Sequence, residues 1–182
     1  MRRESVREPG CIPVGLRGHT RSQRHKAYLS RQAAGKCVSP ELLAVSQAWL
    51  APHRLGALPA LAALASLAPT LAAMGLPWGP TGSVGFALAS GLPVLRPDSD
   101  LDLLVRAFEP LTAAQTQLLH ALRASAPCRI DLQIDTGHGA FSLSEWSRGH
   151  RRVLLKTDLG PLLTDDPWCR SGGRRPERSD QA

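Results

Sequence analysis

Aromatic residues are scarce: Phe, Trp and Tyr make up 4% of the chain, and its single tyrosine, Tyr28, lies in a charged segment. With so few π-faces there is no platform on which successive bases can stack, so a single-strand nucleic-acid module is not expected. Cysteine is equally thin. Cys11, Cys37, Cys128 and Cys169 stand far apart with no Cys-x-x-Cys pair, which excludes zinc-finger spacing and a disulfide framework. Reduced thiols and a cytoplasmic location are expected. No apolar run follows the basic N-terminus, as a signal peptide would require. The most apolar stretch, Leu58 to Met74, is alanine-rich and broken by Pro59 and Pro69. It falls short of the ~20 residues that cross a bilayer. A kinked helix or helical hairpin packed on a sheet is expected there, not a membrane span. No internal repeat is found.

What remains is room for one domain, or one and a fraction, in 182 residues. Leu and Ala supply most of the apolar mass, which favours helices with a modest sheet. A net charge of +7 and a pI near 10.1 point to an anionic partner: nucleic acid, a phosphorylated substrate or an acidic protein. Charge alone does not choose among them.

The organising stretch is Trp78 to Arg106, WGPTGSVGFALASGLPVLRPDSDLDLLVR. As a strand, Asp100-Leu101-Asp102-Leu103-Leu104-Val105 alternates faces, so Asp100 and Asp102 project to one side and Leu101, Leu103 and Val105 enter a core. Like charges this close repel unless a cation lies between them, and hard divalent cations prefer oxygen ligands. Arg129-Ile130-Asp131-Leu132-Gln133-Ile134 has the same alternation. In a neighbouring strand, about 4.8 Å away, Asp131 reaches the same site. Three carboxylates and the Gly82-Ser83 turn suit two Mg²⁺ ions and a triphosphate. Backbone N–H groups where a helix opens over Val84 to Ser90, with the Ser83 hydroxyl, can hold phosphate.

Around this core the signals are more ordinary. Cys11 to Leu16 reads as a short strand. His19 to Lys26 is a basic cluster, either an anion clamp or a solvated loop. Ser39-Pro40-Glu41 starts a helix, with Leu42, Val45 and Trp49 at core-facing spacing. Leu111, Ala114, Leu118 and Leu122 share one face of a second helix. Cys128 to Asp135 is the second acid strand. Ala140 to Trp146 is a short helix or irregular segment, and Arg152 to Thr157 is a strand whose Lys156 is a candidate phosphate ligand. The tail from Arg170 reads as disordered.

The order Gly-Ser, Asp-Leu-Asp, Ile-Asp-Leu resembles the nucleotidyltransferase superfamily related to polymerase beta. Sixteen residues separate Ser83 from Asp100, more than many of its members have. The wording is more specific. WGPTGSVGFALASGLPVLRPDSDLDLLVR with RIDLQI, SEWSRG, VLLKT and DPW, preceded by IPVGLRG and RSQR, resembles the phosphoribosyl-dephospho-CoA transferases of malonate decarboxylase, from about Ile12 to Trp168. The resemblance implies an α/β (α+β) fold: a nucleotidyltransferase-type mixed sheet flanked by helices, with a small partial N-terminal domain. Residues 57–169 would be the catalytic domain, 11–56 the remnant of an N-terminal domain, and 1–10 and 170–182 disordered. MRRESVREPG does not match the family, so either the start lies upstream or that domain is truncated. The implied activity is transfer of triphosphoribosyl-dephospho-CoA to a serine of an apo acyl-carrier subunit, with release of pyrophosphate. On this sequence Asp100, Asp102 and Asp131 would bind Mg²⁺, Asp131 would help deprotonate the serine, and Gly82 and Ser83 would hold pyrophosphate. Arg17, Arg21, Arg24 and Lys156 would touch phosphate or carrier. The alternatives are a nucleotidyltransferase with another substrate and a non-enzymatic basic nucleic-acid-binding module.

Overall fold

Two strands of alternating burial set the architecture. Leu101–Arg106 and Ile130–Asp135 each place every second residue in the core. The structure, a computed structural model, describes residues 9–18, 23–50, 58–147 and 152–169. The expectations for residues 1–8, for Arg21 and its neighbours in 19–22, for the connector within 51–57 and for the tail 170–182 lie outside the described residues.

The chain opens with β1 (Cys11–Arg17) and β2 (Arg24–Ser30), an antiparallel ribbon separate from the main sheet. Then come α1 (Pro40–Ser46), α2 (Pro59–Ala73), β3 (Trp78–Pro80) and α3 (Gly82–Ser90). β4 (Leu101–Arg106), α4 (Ala113–Ser125) and β5 (Ile130–Asp135) follow. The chain ends through β6 (Ala140–Ser142), α5 (Leu143–Trp146), β7 (Val153–Thr157) and β8 (Gly160–Thr164). β3 to β8 form a six-stranded sheet in sequence order. Only β4 and β5 in it run parallel, with α4 as their crossover; the other neighbours are antiparallel. The expected mixed sheet flanked by helices is what the chain forms. The N-terminal part departs from expectation in its second strand: residues 24–26 of the basic cluster, read as a clamp or a solvated loop, lie in β2, where the backbone pairs with β1.

Leu101, Leu103, Val105, Ile130, Leu132 and Ile134 fill one face of the sheet. Leu64, Leu67 and Leu71 of α2 join the same core. Pro59 takes the first position of α2, where its missing N–H costs nothing. Pro69 sits inside a single continuous helix, so the hairpin alternative does not hold. Its solvent-exposed position keeps the lost hydrogen bond away from the core. No helix among the described residues is long and apolar enough to cross a membrane.

Two expected faces turn out rotated. In α1, Ser39 caps the helix as read, accepting a bond from the Leu42 amide at 3.2 Å, but Leu42 and Val45 are 57% and 83% exposed. Leu43 is the buried side chain, because this short helix presents that side to β3 and α3. Trp49, in the turn that follows, is buried against Trp78 as expected, with ring centroids 6.2 Å apart. In α4, Leu119 is buried while Ala114 and Leu118 are exposed and Leu111 and Leu122 only flank the core. Thr112 and Gln115 form a reciprocal capping box at its start. At the other end of the chain the scarce aromatics collect: Phe141, Trp146 and Trp168 pack with centroids 5.3–5.5 Å apart. Trp168 Nε1 donates to the Ala107 carbonyl, tying the last described segment to the end of β4.

Candidate active site

Because Leu101, Leu103, Ile130 and Leu132 are committed to the core, the residues between them must emerge on the opposite face. Asp102 and Asp131 are register partners on the parallel strands β4 and β5, which sets their Cα atoms about 4.8 Å apart. Both are half-buried. Asp100 lies just before β4, at the mouth of the same edge. The Leu101 amide donates to the Arg129 carbonyl at 2.9 Å, so Asp100 stands in line with Arg129. Its charge is felt at Cys128: burial pushes that thiol up, a backbone hydrogen bond at Leu101 opposes, and the Asp100 carboxylate adds a further upward push.

The Gly82-Ser83 turn closes one side of the pair. The Thr81 amide donates to the Asp102 carbonyl at 2.8 Å, and α3 starts at the next residue. Gly82 has φ +57°, and a Cβ there would lie 1.8 Å from Asp102 Oδ2. Only glycine fits, on backbone conformation and on space. The Thr81 side chain makes no capping bond, so the first amides of α3 are left for another acceptor. Glycine also seats the neighbouring helix: a Cβ on Gly79 would meet the Pro40 carbonyl oxygen at 1.9 Å, so α1 rests directly on β3.

At the far end of the same face, Arg106 and Asp135 are register partners. Arg106 Nη1 donates to Asp135 Oδ2 at 2.7 Å, and its Nε donates to Glu41 Oε1 in α1. Asp135 is buried, and its other oxygen accepts from the Gly137 amide. Burial pushes Glu41 up, but hydrogen bonds from Arg106, from backbone and from Ser39 outweigh it and hold the carboxyl below its ordinary range. From sequence, Glu41 is only an acid at a helix start, and Arg106 and Asp135 carry no assigned role. The signal for two of them was present, since the alternation that selects Asp102 and Asp131 continues to Arg106 and Asp135.

The structure thus brings Gly82, Ser83, Asp100, Asp102 and Asp131 together. Lys156 is exposed on β7; its register through Ala140 to Asp135 puts it on the acid face but at the Arg106 end. From strand spacing and rise its Cα is roughly 16 Å from that of Asp131. Arg17 and Arg24 are the end pair of the ribbon, not of the acid strands. Among the described residues no group of three His, Cys, Asp or Glu closes into a metal-ligating cluster. What the sheet offers is a facing carboxylate pair with Asp100 beside it and a glycine pressed on one carboxylate. That hard-oxygen set fits a divalent cation.

Residues 44–167 match the family model described as "Phosphoribosyl-dephospho-CoA transferase MdcG C-terminal domain". The chain belongs to this family. A phosphoribosyl-dephospho-CoA transferase of Pseudomonas putida is 46% identical over 167 residues, covering 92% of this chain and 78% of that protein. The one of Azotobacter vinelandii is 44% identical over 172 residues, 92% and 78% of the two chains. That of Klebsiella pneumoniae is 42% identical over 168 residues, 92% and 80%. No solved structure matches the chain. Members of the family are transferases, so the non-enzymatic reading left open by charge falls away. The matched region begins within α1 and takes in Asp100, Asp102 and Asp131, and the ribbon lies outside it.

Proposed function

We propose that the chain transfers the 2′-(5″-triphosphoribosyl)-3′-dephospho-CoA group to a serine of the apo acyl-carrier subunit of malonate decarboxylase, in the cytoplasm. The observation that carries this is the register pairing of Asp102 with Asp131, with Gly82 pressed against the Asp102 carboxylate. Family membership supplies the dephospho-CoA substrate class. The malonate decarboxylase carrier comes from the wording of the motifs.

In this reading Mg²⁺, held by Asp100, Asp102 and Asp131, would offset the triphosphate charge and polarise the reacting phosphorus. The serine oxygen forms a new bond to the α-phosphorus, and the bond from that phosphorus to the bridging oxygen breaks. Pyrophosphate leaves with the electron pair, and the product is a phosphodiester. Asp131 takes the serine proton. The amides at the start of α3 and the Ser83 hydroxyl receive the departing pyrophosphate, whose charge suits a helix N-terminus. Nothing covalent is asked of the protein; positioning and charge complementarity carry the rate.

The test is transfer onto purified apo carrier subunit, followed by mass spectrometry of the carrier with Mg²⁺ and with EDTA. The expected result is a metal-dependent mass gain on one serine. A folded enzyme that leaves the carrier unmodified, yet transfers from a nucleoside triphosphate, would overturn the substrate assignment.

A further inference from the structure

Two arginines bracket the acid pair on the open face, and their surroundings differ. Arg106, at one end, is spent on Glu41 and Asp135. Arg129, at the other end, directly precedes the buried Ile130, so strand alternation carries it to the face of Asp131. Its carbonyl accepts the Leu101 amide, which fixes its backbone beside Asp100. Its side chain is exposed, and among the described residues its guanidinium makes no ion pair and no hydrogen bond. By strand rise its Cα lies about 6.6 Å from that of Asp131, within reach of an anion seated on the acid pair. A fixed cation left unspent beside carboxylates that would otherwise repel a polyphosphate is what phosphate recognition asks for. The planar fork of arginine suits two phosphate oxygens at once.

We propose that Arg129 is a substrate-binding residue that clasps the polyphosphate of the donor, across the acid pair from the Gly82-Ser83 turn. This rests on the triphosphate reading of the site. It gives the phosphate chain two walls: α3 amides on the Asp102 side and a guanidinium on the Asp131 side. Arg129 then stays with the pyrophosphate as it departs, so its loss affects substrate and product binding alike.

The experiment compares wild type, Arg129→Ala and Arg129→Lys in the full chain. Magnesium pyrophosphate binding is read by calorimetry, transfer kinetics on the carrier, and thermal stability by circular dichroism. In Arg129→Ala the pyrophosphate Kd and the donor KM are expected to rise about tenfold or more. Arg129→Lys should recover part of both, because it keeps the charge but not the fork. Tm should hold in both variants, since the side chain is exposed. Wild-type pyrophosphate affinity and donor KM in Arg129→Ala would overturn the proposal. If wild type binds pyrophosphate but leaves the carrier unmodified, the substrate reading fails, while the calorimetric comparison still decides the role of Arg129. If Arg129→Ala does not fold, Arg129→Lys and Arg129→Gln decide it by the same calorimetry: unchanged affinity in both overturns it.

Discussion

A carboxylate placed opposite another across one strand gap destabilises a metal-free sheet, because like charges directly opposite repel. Asp102 and Asp131 are kept in that arrangement, and in the proposed reading a bound cation would offset the repulsion. Asp102→Asn should therefore reduce carrier modification by about a thousandfold while leaving Tm in EDTA unchanged or slightly raised. Mg²⁺ should raise the Tm of wild type and not that of the variant; equal Mg²⁺ stabilisation of both would remove Asp102 from the site. Gly82→Ala tests the neighbouring wall. A Cβ there must displace the Asp102 carboxylate and also occupy a left-handed backbone position, a strain of about 1–2 kcal/mol. The expected outcome is a folded protein, a few degrees less stable, with transfer reduced to a level close to that of Asp102→Asn. At this scale the sequence was legible where period-two alternation marked the acids. It was silent on the Gly82–Asp102 contact, because nothing in a Gly-Ser pair says which side chain presses on its Cα. Asp135 shows the other limit: its carboxylate was in plain view, but its bond to Arg106, 29 positions away, is made only by the sheet register.

Among the elements, α1 decides whether the turn and the acid strands keep their relation. Pro40 rests on Gly79, Leu43 lies near Gly85 at the start of α3, and Glu41 reaches Arg106 on β4. A helix of seven residues is too short to hold itself, so its position depends on these contacts. Arg106→Ala removes the guanidinium bonded to the buried Asp135 and to Glu41 and should lower stability, seen as a lower urea midpoint. Glu41→Gln should cost less, because Glu41 is only partly buried. The pH dependence follows from the depressed Glu41 carboxyl. A carboxylate whose folded pKa lies below its unfolded value adds stability above the unfolded value and loses it as pH falls through the folded one. Stability of wild type relative to Glu41→Gln should thus shrink on acidification below the ordinary glutamate range, and a constant difference would show that the contact carries no charge. The cap of α1 could be read from Ser39-Pro40-Glu41, since capping is local. Its buried face could not. Leu42 and Val45 fit helical spacing as well as Leu43 does, and the choice follows from Gly79 in β3, which lets the Pro40 backbone approach on that side.

For the molecule as a whole, the core and the residues packed against it run from Ala44 to Trp168, and among the described residues none comes from the β1–β2 ribbon. The two units differ in what holds them. The six-stranded sheet buries apolar residues from α2, α4 and α5 on one face. An isolated two-stranded ribbon has marginal stability in water, and this one exposes Leu16, Tyr28 and Leu29. The resemblance in wording ran through both units and implied a partial N-terminal domain, but not how little of it would join the core; hydrophobic pattern reports burial, not which elements share it. The expected consequence is separable stability. A chain starting at Gly35 keeps Ser39 as the cap of α1, and with it the contacts of Pro40 and Glu41 that seat the helix. Its thermal transition should stay cooperative, with Tm within about 4 °C of the full chain, the shift that roughly 1 kcal/mol produces in a domain of this size. In the full chain, amides of β1 and β2 should exchange well before those of β4 and β5. A Tm drop beyond about 10 °C would show that the ribbon supports the sheet. If instead stability holds while the KM for the carrier rises with the donor KM unchanged, the basic strand ends at Arg17 and Arg24 serve the protein partner and not the phosphate.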